Sequence, residues 1–243
     1  MNLKVMTYNI HSSIGTDGKA DWRRIAALIK KEAPDLLALQ EVTVNHARTP
    51  GVHVANAIAA ELQMQACFGK AISINNGAGD YGVAALSPHK LEFVDKIYLP
   101  TPEGIEKRIF LIVKVQLEKP FFFVVTHFSY QGEFVGDEAY RTRSAQLIND
   151  TLADKGYWPA IWAGDFNTFQ GTATMDFIHR SWDVHNDAER KTATAECKHA
   201  GWRQIDFICS APKNAFQQQE FKIIDDLLAS DHRPVCATLR LAD

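Results

Sequence analysis

No two cysteines in this chain have the CxxC spacing of a zinc ribbon or a dithiol redox motif. The four that exist, Cys67, Cys197, Cys209 and Cys236, are widely scattered. Reduced and mostly buried thiols are expected. Cys197 and His199 stand two apart, but no second pair joins them, which argues against a zinc site. No run approaches the roughly 18 apolar residues of a membrane span. The opening MNLKVMTYNI carries one lysine and no long apolar stretch, unlike a secretory leader. A cytoplasmic location without a membrane span is expected. Positive charge is not in excess either. The net charge is −3, so no global field draws the protein onto nucleic acid or anionic lipid. GxSxG, HExxH and Walker sequences are missing, which removes the common serine-hydrolase, zincin and P-loop readings. GAGDYG at 77–82 matches GxGxxG but precedes a strand instead of opening a helix, so a dinucleotide site is rejected. The sequon Asn149-Asp150-Thr151 falls within a helical stretch and carries no weight.

What is present is ordinary globular composition, 46% hydrophobic and 23% charged over 243 residues, enough for one sizeable domain. Strands are predicted at 3–10, 36–42, 66–74, 82–87, 91–98, 109–117, 121–126, 159–164, 205–209, 215–224 and 234–240. They are rich in β-branched and aromatic residues and bounded by turn signals. Trp22, Ile25, Leu28 and Ile29 form a helical stripe that Asp21 caps and Pro34 ends. Further helices fit 52–62, 137–155 and 172–180. Long strands with few helices between them predict two packed sheets with helices outside, in a single domain over 1–243.

Polar residues recur where apolar strands end. Asn9 ends VMTYN, Glu41 ends LLALQE, His127 ends FFFVVTH, and Asp165 and Asn167 follow IWAG. Asp231 and His232 stand just before the last strand. Asp206 lies between Ile205 and Phe207, where a buried carboxylate needs a partner. Side chains two apart on an extended chain share a face, so Asp165 and Asn167 are expected together at an open strand end. Any one of these is ordinary turn punctuation or a solvated strand end. Seven such positions in one chain point to a site. Asn9, Glu41 and Asp231 are hard oxygen donors of the kind Mg²⁺ takes, with water filling the remaining positions. Asp165 suits orienting or deprotonating a water, Asn167 donating to an oxyanion, and His232 with Asp206 a His–carboxylate pair. Metal-assisted attack on phosphorus uses all of them.

The ordered set TYNI, LQE, TH, GDFN, IDF and SDHRPV resembles the endonuclease/exonuclease/phosphatase superfamily, deoxyribonuclease-like metal-dependent phosphoesterases, from Asn9 to His232. The resemblance implies an α/β (α+β) four-layer sandwich of two mixed sheets flanked by helices. It implies Glu41 as the principal metal ligand, with Asn9 and Asp231 nearby, and Mg²⁺, or Mn²⁺ in its place, as cofactor. Asp165 would activate water, Asn167 and His232 would hold the phosphate, and Asp206 would pair with His232. It sets His127 near the leaving group, Arg108 as a phosphate-binding residue and Tyr81 along the pocket. One departure stands out: members often carry a basic residue just before the Ile-Asp, and here it is Gln204, with Arg203 one place earlier. With no inserted basic loop for gripping duplex DNA, a small phosphoester is the favoured partner and nucleic acid the alternative. The expected activity is hydrolysis of a phosphodiester or accessible phosphomonoester by a monomer. A DNA or RNA nuclease and a non-catalytic scaffold are the other readings.

Overall fold

A computed structural model describes residues 1–130, 137–186, 192–197 and 200–242. The chain opens with β1 (Asn2–Asn9), α1 (Trp22–Glu32), β2 (Leu36–His46), β3 (Thr49–His53), α2 (Val54–Leu62), β4 (Gln65–Ile74) and β5 (Gly79–Ser87). It continues with β6 (Lys90–Tyr98), β7 (Ile109–Gln116), β8 (Phe121–His127), α3 (Asp137–Lys155) and β9 (Ala160–Asp165). The last third holds α4 (Ala173–Ser181), β10 (Asp183–Val184), β11 (Ala195–Cys197), β12 (Gly201–Arg203), β13 (Asp206–Ala211), β14 (Phe216–Ile223) and β15 (Val235–Leu241).

Two mixed sheets result. The first runs β14-β15-β1-β2-β5-β4, with β3 paired to β2; the second runs β10-β13-β9-β8-β7-β6. Each contains one parallel pair, β1 with β2 and β8 with β9. A parallel pair needs a crossover, and α1 and α3 supply the two. Strand alternation then builds three apolar layers. Val5, Leu36, Val83, Leu111, Phe123, Ala163 and Ile208 meet between the sheets. Ile25, Ile29 and Ile58 of α1 and α2 cover Met6, Leu37, Leu39 and Leu86 on the outer face of the first sheet. Ile148, Leu152, Met175 and Ile178 of α3 and α4 cover Phe110, Val124, Trp162 and Phe207 on the second. The four-layer sandwich is therefore as expected.

The local differences have physical causes. Ala26 joins Ile25 and Ile29 in the core where Leu28 stays half-buried, so the stripe is rotated by a fraction of a turn. Residues 52 and 53 finish β3, because His53 caps α2 by accepting from Asn56 N. The strand carrying Glu41 does not stop there. It continues to His46 through an irregularity between Leu39 and Val42, with Glu41 at φ 57°. All four cysteines are free, two of them buried. His199 lies outside the described residues. At 77–82 the chain turns into β5, and a Cβ at Gly82 would meet the Gly69 carbonyl at 1.9 Å. Close strand approach explains that glycine without any nucleotide.

Candidate active site

Three neighbouring strands of the second sheet end in one row. His127 is the register partner of Asp165 across the parallel β8–β9 pair, and Asp206 is its partner across the antiparallel β9–β13 pair. Each has the parity of the inner-face residues Val125, Ala163 and Ile208, so all three side chains enter the space between the sheets. All three are buried. Asp206 opens β13 rather than lying inside it.

The first sheet supplies the facing groups. Asn9 ends β1 on the inner face, and its Nδ2 donates to Glu41 Oε1 at 3.2 Å and to Asp165 Oδ2 at 3.1 Å. Its Oδ1 accepts from His11 N at 3.1 Å, which fixes the amide's orientation. Glu41 reaches this point because of the bulge. Leu39 and Val42 both pack outward, so one extra residue sits between them and Glu41 turns toward Asn9. Plain alternation would have sent its side chain to the helices.

His232 closes the cluster. Its Nδ1 lies 2.9 Å from Asp206 Oδ2 and its Nε2 3.8 Å from Asp165 Oδ2. Burial would lower the imidazole's pKa, but the Asp206 carboxylate overrides it and raises the value to about 10. The Asp206 carboxylate thus favours the charged form of His232. Burial would also raise the Asp165 carboxyl. His127, by charge and then by hydrogen bond, and after it the charge of His232 outweigh this and hold Asp165 well below the ordinary carboxylate range.

Arg108, just before β7, is buried and serves as a hub. Its Nη1 donates to His127 Nδ1 at 2.6 Å and to Tyr81 OH at 3.1 Å, and its Nη2 pairs with Glu106 Oε1 at 3.0 Å. The same Nη1 lies 3.2 Å from His127 Nε2, which is itself 3.3 Å from Asp165 Oδ2. Burial pushes the Tyr81 phenol far above its ordinary range, so it keeps its proton.

Asn167 joins the site by a route other than strand alternation. Phe166 is buried in the outer core, and Asn167 adopts φ 48°. Its N–H returns to Asp165 Oδ1 at 2.8 Å and its Nδ2 donates to Phe128 O at 3.0 Å, leaving one amide hydrogen unused by these bonds. Asp231 stands apart from the buried cluster. It is half-exposed at the rim, 3.7 Å from His11 Nδ1, and its neighbour Ser230 donates through Oγ to Asn9 O. Sequence reasoning missed His11 and Glu106. A histidine after a strand end and a glutamate in a loop have no pattern that marks them.

The donor set fits a divalent cation at Glu41 and Asn9, with Asp231 at the rim. Glu41 and Asp231 offer carboxylate oxygens, while Asn9 turns its Nδ2 to Glu41 and Asp165 and offers only the second lone pair of Oδ1, whose first accepts from His11 N; hard cations that keep several waters need few protein ligands. Asp165, Asp206 and His232 also bring ligand atoms within 4.8 Å of one another. Within that trio His232 Nδ1 and Asp206 Oδ2 already engage each other at 2.9 Å.

Carboxylates, imidazoles and a guanidinium thus converge at the common end of two stacked mixed sheets. The chain belongs to the endonuclease/exonuclease/phosphatase family, whose sequence model matches residues 6–232 and whose members hydrolyse phosphoester bonds. Among solved structures, an endonuclease/exonuclease/phosphatase from Beutenbergia cavernae is 24% identical, with TM-score 0.75 over 99% of this chain and 72% of that one. A mannosyl-6-phosphatase from Bacteroides thetaiotaomicron is 19% identical, with TM-score 0.74 over 98% of this chain and 100% of that one. A 2′,3′-cyclic phosphatase in complex with adenosine-2′,3′-vanadate is 15% identical, with TM-score 0.73 over 99% and 96%. These likenesses are of fold. No curated protein sequence matches the chain.

Proposed function

We propose that the protein is a Mg²⁺-dependent phosphoesterase that hydrolyses a small phosphoester by attack of water on phosphorus. The observation that carries this reading is the convergence on Asp165. One buried carboxylate is contacted by Asn9 from the first sheet, by His127 from its own sheet, and lies beside the His232–Asp206 pair. Glu41, Asn9 and Asp231 would hold the cation, which when bound supplies positive charge to a phosphoryl oxygen. Mn²⁺ is expected to substitute.

The chain's own groups have separable tasks. Asp165 is held ionised, so its carboxylate can orient the attacking water and take its proton as the water oxygen bonds to phosphorus and the ester P–O bond breaks. His232, whose charged form Asp206 favours, faces the charge that develops on the phosphoryl oxygens. Asn167 has one amide hydrogen to add to that charge. Arg108 binds the phosphate, Tyr81 buttresses Arg108, and His127 is the nearest imidazole to donate to the leaving oxygen. Two of the proteins sharing the fold are described as phosphatases, in keeping with phosphoester hydrolysis.

Purified protein should hydrolyse a generic aryl phosphodiester or phosphomonoester with Mg²⁺, lose that activity in EDTA, and regain it with Mg²⁺ or Mn²⁺. In ¹⁸O-labelled water the label should enter the phosphate product. Undiminished turnover in EDTA, or label in the alcohol, would overturn the reading.

A further inference from the structure

The substrate-facing guanidinium is already answered by a carboxylate. Arg108 Nη2 holds Glu106 Oε1 at 3.0 Å, while Nη1 is used by Tyr81 and His127. The remaining donor on the Nη2 side, Nε–H, is buried and has no partner among the described residues. Nε and Nη2 form the edge with which arginine grips a phosphate or carboxylate in bidentate fashion. Glu106 takes half of that edge. It sits on the loop between β6 and β7 with a side chain 39% exposed, where an acidic residue is under no packing obligation.

The same balance holds across the cleft, where His232 is matched by Asp206 at 2.9 Å. Both well-placed protein cations thus have carboxylate partners, while Glu41, Asp165 and Asp231 add negative charge around them. With a divalent cation bound, the site's capacity for further negative charge is small. Building on the phosphoesterase reading, we propose that Glu106 is a specificity residue: by neutralising Arg108 it sets the site for a singly charged phosphodiester over a doubly charged terminal phosphomonoester.

The effect has a simple signature. A fixed unit charge acts on a dianion twice as strongly as on a monoanion, so the factor gained by removing it is squared. The probes are phenylphosphonate, a dianion at mildly alkaline pH, and methyl(phenyl)phosphinate, a monoanion of nearly the same shape. Neither has an ester bond to hydrolyse, so calorimetry on the Mg²⁺-loaded protein reads binding alone. Wild type should bind the phosphinate at least as well as the phosphonate. Glu106→Gln should tighten the phosphinate about threefold and the phosphonate about tenfold, an effect of the size expected for unit charges several ångströms apart at a half-exposed site. Glu106→Lys should extend the trend. If both anions bind and Glu106→Gln leaves their ratio unchanged, the specificity assignment fails while the phosphate site stands. If neither anion binds wild type or variant, the phosphoesterase reading fails and takes this inference with it.

Discussion

His232 has no freedom to be an ordinary histidine. Burial disfavours its charge, and the Asp206 carboxylate at 2.9 Å restores it, with the pKa raised to about 10. The sign of the linkage follows. A group whose folded pKa lies above its unfolded value stabilises the fold fully below the unfolded pKa of about 6.5, and loses that contribution as pH rises toward the folded value. Stability should therefore fall between neutral pH and about 10, and Asp206→Asn should flatten that decline. The His232 ring, followed by NMR, should titrate well above neutrality in wild type and at lower pH in Asp206→Asn; an ordinary value in wild type would contradict the pair. Kinetically the two act as a unit. His232→Ala and Asp206→Asn should combine to a loss well short of the product of their single effects, as coupled neighbours do. A fully multiplicative double mutant, with circular dichroism intact, would mean that Asp206 does not act through His232.

At the scale of elements, the site depends on two backbone features. The β2 bulge turns Glu41 inward at φ 57°, a left-handed conformation that costs a non-glycine residue roughly 1 kcal/mol. Glu41→Gly should accordingly be about 1 kcal/mol more stable than Glu41→Ala in urea unfolding, although both lose the carboxylate. Equal stabilities would mean that the bulge is not strained. The second feature is the close β8–β9 contact. A Cβ at Gly164 would stand 2.1 Å from Thr126 O, so Gly164→Ala must push the two strands apart just where His127 and Asp165 are set in register. A destabilisation of about 3 kcal/mol is expected, at the upper end for overpacking, together with a loss of activity. A variant as stable and active as wild type would show that the strands tolerate separation.

For the molecule as a whole, charge sets the expectation. With a net charge of −3, few cations are available to line up along a duplex. Binding through Z phosphates gives a log–log salt slope near −0.9Z, so activity on a small ester should change little between about 50 and 200 mM salt. Fast nicking of supercoiled DNA that collapses with salt would shift the reading to a nuclease. Among the described residues, no helix is long and apolar enough to cross a membrane. Much of this architecture is legible in the sequence, because Val5, Phe123, Ala163 and Ile208 alternate with outward residues and the crossovers carry helix caps such as Asp21. The convergence of Asn9, His127, Asp165 and Asp206 is legible for the same reason, since register carries strand-end residues to one end of the sandwich, and His232 joins them from the bend before β15. Other parts were hidden. Glu41 looks like a strand end and is a bulge, since no propensity marks a glutamate at positive φ. Asn167 meets Asp165 through a turn instead of through alternation, and Glu106 finds Arg108 only once its loop is folded. The short strands β3, β10, β11 and β12 are held by tertiary pairing and have too few residues for a period.

In the proposed mechanism Asp165 is the centre of a water-driven attack on phosphorus, and one substitution addresses that role. Asp165→Asn keeps the side chain's shape while removing the charge that orients the water. Steady-state hydrolysis of an aryl phosphodiester at saturating Mg²⁺, with thermal unfolding run on the same samples, is the measurement. The predicted result is a fall in kcat of about 10²- to 10⁴-fold with the protein still folded. A folded Asp165→Asn variant that keeps wild-type kcat would contradict the mechanism.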